Sequence, residues 1–240
     1  MAEQGGYGQF CPVAMAAEVV CTRWTPLILR ELLSGTRHFN DLRRGVPRMS
    51  PTLLSKRLKE LEAAGVILTV RDSRSGSVEY HLTEAGEDLR PLVMSLGTWG
   101  QRWVEGQASL RNLDPTLLMW DMRRCLKPRA LLDRRCTIAI NFPELTPARA
   151  SYWLVVETEG EVDLCWHDPG YDVDLFIVTS LRTLTAIWMG LTTVARETES
   201  GELELSGDRR LIASMQEWLG LSVFAGEQPR RQPAARLSAP

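Results

Sequence analysis

One stretch, SPTLLSKRLKELEAAGV from Ser50 to Val66, constrains the fold more than any other. Ser50 is a preferred N-cap, Pro51 suits the first helical position, and Gly65 can leave the helix through a left-handed residue. At 100° per residue Leu54, Leu58 and Leu61 fall within about 60° of one another, a stripe that has to be buried. Thr52, Ser55, Lys56 and Lys59 fall on the opposite side, with Arg57 and Glu60 at the flanks. Such a helix needs a core beneath it, and it turns a small, hydroxyl-bearing, cationic face away from that core.

The flanking sequence says what kind of core. Upstream, Pro12 to Cys21 reads as a small apolar helix. Thr25 is expected to cap a second helix, with Pro26 at its first position and Leu27, Ile28, Leu32 and Leu33 on its buried face. Asn40 is expected to cap a third, very short helix carrying Leu42. Downstream, the β-rich runs Val66 to Val70 and Val78 to Leu82 flank the turn-forming DSRSGS, which is the pattern of a hairpin. Thr83 then opens a helix on which Leu89, Val93, Leu96, Trp99 and Trp103 recur at helical spacing, a seam within the monomer or against a partner. Helix, turn, helix and hairpin in this order predict a winged helix-turn-helix.

Charge is local. The chain of 240 residues has a formal net charge of -2, so it is not a uniformly basic nucleic-acid binder. Arg37, Arg43, Arg44, Arg48, Lys56, Arg57 and Lys59 nevertheless cluster, with Asp41 as the acidic residue among them. Basic faces of amphipathic helices are mostly just solvated. Here Arg43 and Arg44 precede the capped helix, and the hairpin adds Arg71 and Arg74, so the expected partner is double-stranded DNA. Ser50, Thr52, Ser55, Lys56, Arg57 and Lys59 would meet it from the helix, Arg37, Arg43 and Arg44 from the preceding segment, and Arg71 and Arg74 from the wing.

Other function classes lose ground. Cys11, Cys21, Cys125, Cys136 and Cys165 form no CxxC pair, which argues against a disulfide framework or a zinc site. No apolar run reaches the roughly 18 residues of a membrane span, and the first residues lack a signal-peptide pattern. A cytoplasmic protein is expected. The histidines, His38, His81 and His167, are scattered, and there is no GxSxG elbow, HExxH or phosphate-cradling loop, so neither catalysis nor a cofactor or metal is expected.

The pattern changes near Asn112 to Pro115. Beyond it come a helix (114–126), β-rich runs (136–142, 152–157, 162–166, 173–178), a helix from Ser180 to about Ala195, a short strand (202–205) and a closing helix (210–219). The class is α+β, with an antiparallel or mixed sheet in the second half. The expected organisation is a winged-helix domain over 1–106, a second domain over 107–226 and a disordered Pro-, Ala- and Arg-rich tail over 227–240. Between Glu157 and Asp174 lie seven carboxylates and His167 with no basic residue. The ready reading is a solvated sheet edge kept from aggregating by charge.

Several ordered pieces carry a resemblance. Cys11-Pro12-Val13, Trp24 leading into LILRELL, RHFNDLRR from Arg37, MSPTLLSKRLKELEAAGV and VEYHLTEAGEDL from Val78 together resemble the HxlR-type winged-helix transcriptional regulators, over residues 11 to about 104. The resemblance implies a homodimer on an inverted-repeat operator, a repressor, with the first and last helices of the domain at the dimer interface. Two recognition helices would then enter successive major grooves roughly 34 Å apart. His38 departs from the family, which usually has a second basic residue before the Phe. Cys11 matches the position of an N-terminal cysteine that some members use as a redox or electrophile sensor; the alternative is a small buried hydrophobe.

Residues 131 to 224 resemble the sterol-carrier-protein-like domain, through DVDLFIVTSLRTLTAIWMGLTTVARETESGELELSGDRRLIASMQEWL. That resemblance implies helices over a five-stranded sheet and an apolar cavity for a small hydrophobic ligand. Trp153, Phe176, Leu184, Ile187, Trp188 and Met215 are the candidate lining, with core packing the alternative for each. The reading is therefore a DNA-binding regulator controlled by an apolar ligand or by modification of Cys11. Its competitor is a carrier of hydrophobic ligands whose winged helix contacts proteins; sequence-selective DNA binding separates the two.

Overall fold

The computed structural model describes residues 6–71, 73, 76–104, 110, 112–131 and 133–227. It divides into two compact units, Met1–Leu96 and Gly97–Pro240. Arg74, the boundary expected at 106–107 and the tail from 228 to 240 lie outside the described residues.

The first unit is built from α1 (Pro12–Val20), α2 (Thr25–Leu33), α3 (Phe39–Gly45), α4 (Pro51–Ala63), β1 (Ile67–Arg71), β2 (Val78–Leu82), α5 (Glu84–Glu87) and the start of α6 (Arg90–Trp103). Ile28, Leu29 and Leu32 of α2, Leu42 of α3, and Leu54, Leu58 and Leu61 of α4 share one buried cluster with Val46, Met49, Val66 and Ile67. Helix α4 has the ends its sequence signals: the Ser50 hydroxyl accepts the Leu53 N–H at 3.3 Å, and Gly65 follows with φ of 71°. The hairpin pairs antiparallel, Ile67 opposite Leu82 and Arg71 opposite Val78.

Local signals misled at three points here. Thr25 is the first residue of α2, fully buried, its hydroxyl paired with Thr22 at 2.6 Å; Trp24 is the flanking residue, at a left-handed φ of 80°. His38, not Asn40, precedes α3. The helix expected from Thr83 onward is broken into α5 and α6. Pro91 has no N–H to give the Glu87 carbonyl, and the Leu89 N–H turns instead to the Gly86 carbonyl at 3.2 Å.

The second unit continues with α7 (Pro115–Cys125), a 3-10 turn (Pro128–Ala130), β3 (Cys136–Asn141), α8 (Pro147–Ala150), β4 (Ser151–Val156), β5 (Val162–Cys165), β6 (Leu175–Thr179), α9 (Leu181–Trp188), α10 (Val194–Glu199), β7 (Leu203–Gly207), α11 (Arg209–Ala213) and α12 (Met215–Trp218). Its five strands run in the order β5-β4-β3-β6-β7. The sheet is mixed, because β3 and β6 pair parallel while the other neighbours are antiparallel. One face carries Ile138, Ile140, Tyr152, Leu154, Leu175 and Ile177, buried under Met119 and Met122 of α7, Leu184 and Ile187 of α9, and Met215 and Trp218 of α12. The helix expected over 180–195 ends early: Gly190, at φ of 72°, lets the Leu191 N–H bond back to the Ala186 carbonyl at 2.9 Å.

Candidate nucleic-acid interface

Burying Leu54, Leu58 and Leu61 decides what α4 turns outward. Thr52, Lys56 and Lys59 are exposed and Ser55 is half-buried. Lys56 approaches Glu60 at 3.8 Å with much of its side chain in water, and Lys59 makes no ion pair among the described residues. Arg57 is different: it lies along the helix in an ion pair with Glu60, so one of the expected cationic contacts is partly satisfied internally. Ser50 is committed to the cap.

Around this face stand other cations. Arg43 and Arg48 are exposed, and Arg71 is exposed at the end of β1. Arg44 pairs with Asp41 one helical turn back, at 2.6 Å. Arg37 is half-buried, and its carbonyl accepts the Tyr80 N–H at 2.9 Å, which ties the approach to α3 onto the hairpin. The hairpin in turn is held to α4: the Thr69 N–H donates to the Glu62 carboxylate at 3.1 Å, and the Thr83 hydroxyl to the Gly65 carbonyl at 2.7 Å. These two bonds tie the hairpin to α4, beside the exposed Thr52, Lys56, Lys59 and Arg71.

What seats the end of α3 on α2 escaped sequence reasoning. Glu31 is fully buried on the core side of α2, although its side chain is a carboxylic acid. Arg30 donates to it at 2.6 Å and Thr36 at 3.3 Å, and the same Arg30 donates to the Gly45 carbonyl at 3.1 Å. A side chain at Gly45 would collide with the Glu31 carboxyl group. A buried polar group persists only when it is hydrogen-bonded, so this cluster pins the end of α3, where the turn into α4 begins, to α2. The available signal was a carboxylate inside the apolar stripe of α2, between Ile28 and Leu32.

Cys11 flanks the start of α1 and is partly exposed. Its thiol is lowered from the ordinary range by bonding to the backbone of Ala14, then of Val13, at the open end of the helix. Burial works the other way elsewhere: Cys136, buried beside the Asp174 carboxylate, is pushed up to about 12, and Cys125 and Cys165 are raised chiefly by burial.

The six apolar candidates of the second unit do not converge. Leu184, Ile187 and Met215 are fully buried in the core, and the half-buried Trp188 packs against it. Trp153 and Phe176 lie on the opposite face of the sheet, since both are in register with Ala139 rather than with the core-facing Ile138 or Ile140. Phe176 is 48% exposed, so it lines no enclosed cavity with the other four. Among the described residues no three His, Cys, Asp or Glu side chains converge as a metal ion would require, and no helix is long and apolar enough to cross a membrane.

With this geometry in hand, residues 19–108 match the family model described as HxlR-like helix-turn-helix. YvaP of Bacillus subtilis (strain 168), an uncharacterized HTH-type transcriptional regulator, is 33% identical over 99 residues, which cover 40% of this chain and 92% of YvaP. YdeP of the same organism, described in the same terms, is 33% identical over 96 residues, 40% of this chain and 75% of YdeP. Among solved structures, the redox regulator HypR in its reduced form is 32% identical, covers 38% of this chain and 90% of that one, and superposes with a TM-score of 0.36.

Proposed function

From the chain's membership of the HxlR-like helix-turn-helix family, to which its likeness to YvaP assigns it, we propose that this protein is a DNA-binding transcriptional regulator that occupies an inverted-repeat operator as a homodimer and represses by occupying it. One observation carries the reading: the face of α4 opposite its buried leucines offers Thr52, Ser55, Lys56 and Lys59 outward. Small hydroxyl-bearing and cationic side chains are what a recognition helix needs in a major groove. Arg37, Arg43, Arg44, Arg57, Arg71 and Arg74 take the phosphates. Ser50 keeps the helix start in place.

The dimer is supported by apolar surface that water has no use for. Phe10 is 98% exposed just before α1, and Val13 and Met15 on α1 are exposed with it. On α6, Leu92, Leu96 and Trp99 stand at i, i+4 and i+7, and Trp99 is 59% exposed. Packing α1 and α6 against a second copy covers both sets. Two-fold symmetry then sets the two α4 helices for half-sites one helical turn apart. The second unit is the sterol-carrier-like, ligand-responsive part in this reading. A ligand there, or modification of Cys11, regulates by differing in affinity for the DNA-competent and DNA-incompetent states.

The test is binding to DNA from the protein's own promoter region against a scrambled duplex, across a potassium chloride series. The expected result is a preference of about a thousandfold or more over a salt-steep background. Lys56→Ala and Lys59→Ala should each weaken binding to both duplexes and reduce the salt slope by about 1, without lowering Tm. Equal affinity for the two duplexes would return the protein to the ligand-carrier reading.

A further inference from the structure

The chain has three histidines, and folding brings two of them to one carboxylate. His38, just before α3, bridges antiparallel to Glu79 of β2. The adjoining Tyr80 N–H donates to the Arg37 carbonyl at 2.9 Å, so His38 and Glu79 face each other without exchanging backbone bonds themselves. Pairs of that kind hold their side chains closest, with Cα atoms about 4.5 Å apart. His81 lies two residues on along β2 and therefore on the same face.

The side-chain atoms follow the backbone. His81 Nε2 is 2.8 Å from Glu79 Oε2, and His38 Nε2 is 3.9 Å from Glu79 Oε1, so the two rings reach the two oxygens of one carboxylate. A zinc ion with ligands at its usual distance of about 2.1 Å sets tetrahedral donors roughly 3.4 Å from one another, between these two values. As they stand the rings flank the carboxylate rather than surround a common point. His38 is exposed and Glu79 and His81 are half-buried, so the three can close around an ion by rotamer changes alone, with no core residue displaced.

The surroundings leave these donors available. Strand β1 sets Leu68 opposite His81 and Val70 opposite Glu79, both partly exposed, so no Lys or Arg of that strand competes for the carboxylate. Arg37 precedes an extended His38 and falls on the other face. On α3, Asp41 and Arg44 pair with each other at 2.6 Å; on α2, Arg30 and Glu31 do the same; and Glu62 of α4 is bonded to the Thr69 N–H.

We infer that His38, Glu79 and His81 form a binding site for a divalent transition-metal ion of the zinc class, with its fourth position left to water. Two imidazoles and one carboxylate suit zinc, nickel and copper(II); magnesium and calcium take oxygen ligands instead. Bound there, the ion clips the segment entering α3 to β2 of the wing. It favours the folded unit over the unfolded chain, in which the donors are not held together. The site is measured without DNA, so it stands whether or not the regulator reading does.

Zinc chloride titrated into the full chain, its accessible thiols such as Cys21 first capped with N-ethylmaleimide, tests the site by calorimetry. One equivalent is expected to bind with micromolar affinity at about pH 7.5 and to be lost by about pH 5.5, because an imidazole must be neutral to ligate. His38→Ala, His81→Ala and Glu79→Gln should each lower the affinity by at least the roughly tenfold that loss of even an outer-shell partner costs. His167→Ala removes the remaining histidine and should change nothing. Zinc should also raise the melting temperature of the parent and of the His167→Ala chain but not of the other three. The substituted side chains are exposed or half-buried, so those variants keep the fold, which circular dichroism without zinc checks. No micromolar binding overturns the site, and so does binding that His38→Ala and His81→Ala leave intact, which would be scattered surface ligation. Magnesium chloride that binds as well as zinc overturns it too, since carboxylates alone would then be responsible.

Discussion

At the scale of single residues, the cysteines separate most clearly. The same thiol is placed at the open end of a helix in one case and inside an apolar sheet beside a carboxylate in another, and the two environments move it in opposite directions. The thiolate is the reacting species, so Cys11 should alkylate with iodoacetamide at neutral pH in the native protein, while Cys136 remains unlabelled until the chain is denatured. Peptide mass spectrometry reads both sites in one sample, and equal native labelling would contradict the two environments. From the sequence, Cys11 next to a proline-started helix allowed two readings, a reactive thiol and a small buried hydrophobe. Cys136 carried no such mark, because only pairing β3 between β4 and β6 buries it.

Elements show where local signals stop being sufficient. Helix α4 was legible from end to end, since its cap, its leucine stripe and its terminal glycine all lie within the helix and its flanks. Helices α5 and α6 were read as one because hydrophobic spacing does not register a missing N–H, and Pro91 alone decides the break. The seating of α3 was not legible at all. It rests on Gly45 abutting Glu31, which are far apart in the chain and are brought together only by packing α2 on α3. Gly45→Ala should therefore destabilise the first unit by about 1–3 kcal/mol, as overpacking does. Urea denaturation gives that figure, and DNA affinity should fall with it because the turn into α4 is displaced. An unchanged midpoint would mean that Glu31 gives way freely.

On the scale of the whole molecule, the unburied apolar residues of α1 and α6 bear on assembly. Trp99→Glu places a charge in the middle of that surface and should convert a dimer into a monomer in sedimentation. Operator affinity should drop by about 1.4 kcal/mol or more, a factor of ten, because one copy reaches only one half-site. A chain that stays dimeric after the substitution would locate the interface elsewhere. The seam on α6 was readable as a stripe, but whether it faced inward or outward was not: Val93 is buried while Leu96 and Trp99 are exposed, although all three share the helical period.

By itself the sequence determined what depends on neighbours along the chain: the ends and stripe of α4, the hairpin after it, the order of elements in the winged helix, and a cationic face within a chain of net charge -2. Periodicity and capping are local physics, and they survive into the folded chain. Only the tertiary structure decided what depends on residues distant in sequence. It put Arg57 into an ion pair while giving Lys59 none among the described residues, clamped α3 through Glu31, and made the second sheet mixed by running β6 parallel to β3. It also sent Trp153 and Phe176 to the face away from the core. In a strand, alternation fixes which residues share a face but not which face the helices will cover, and that choice belongs to the packing of the whole unit.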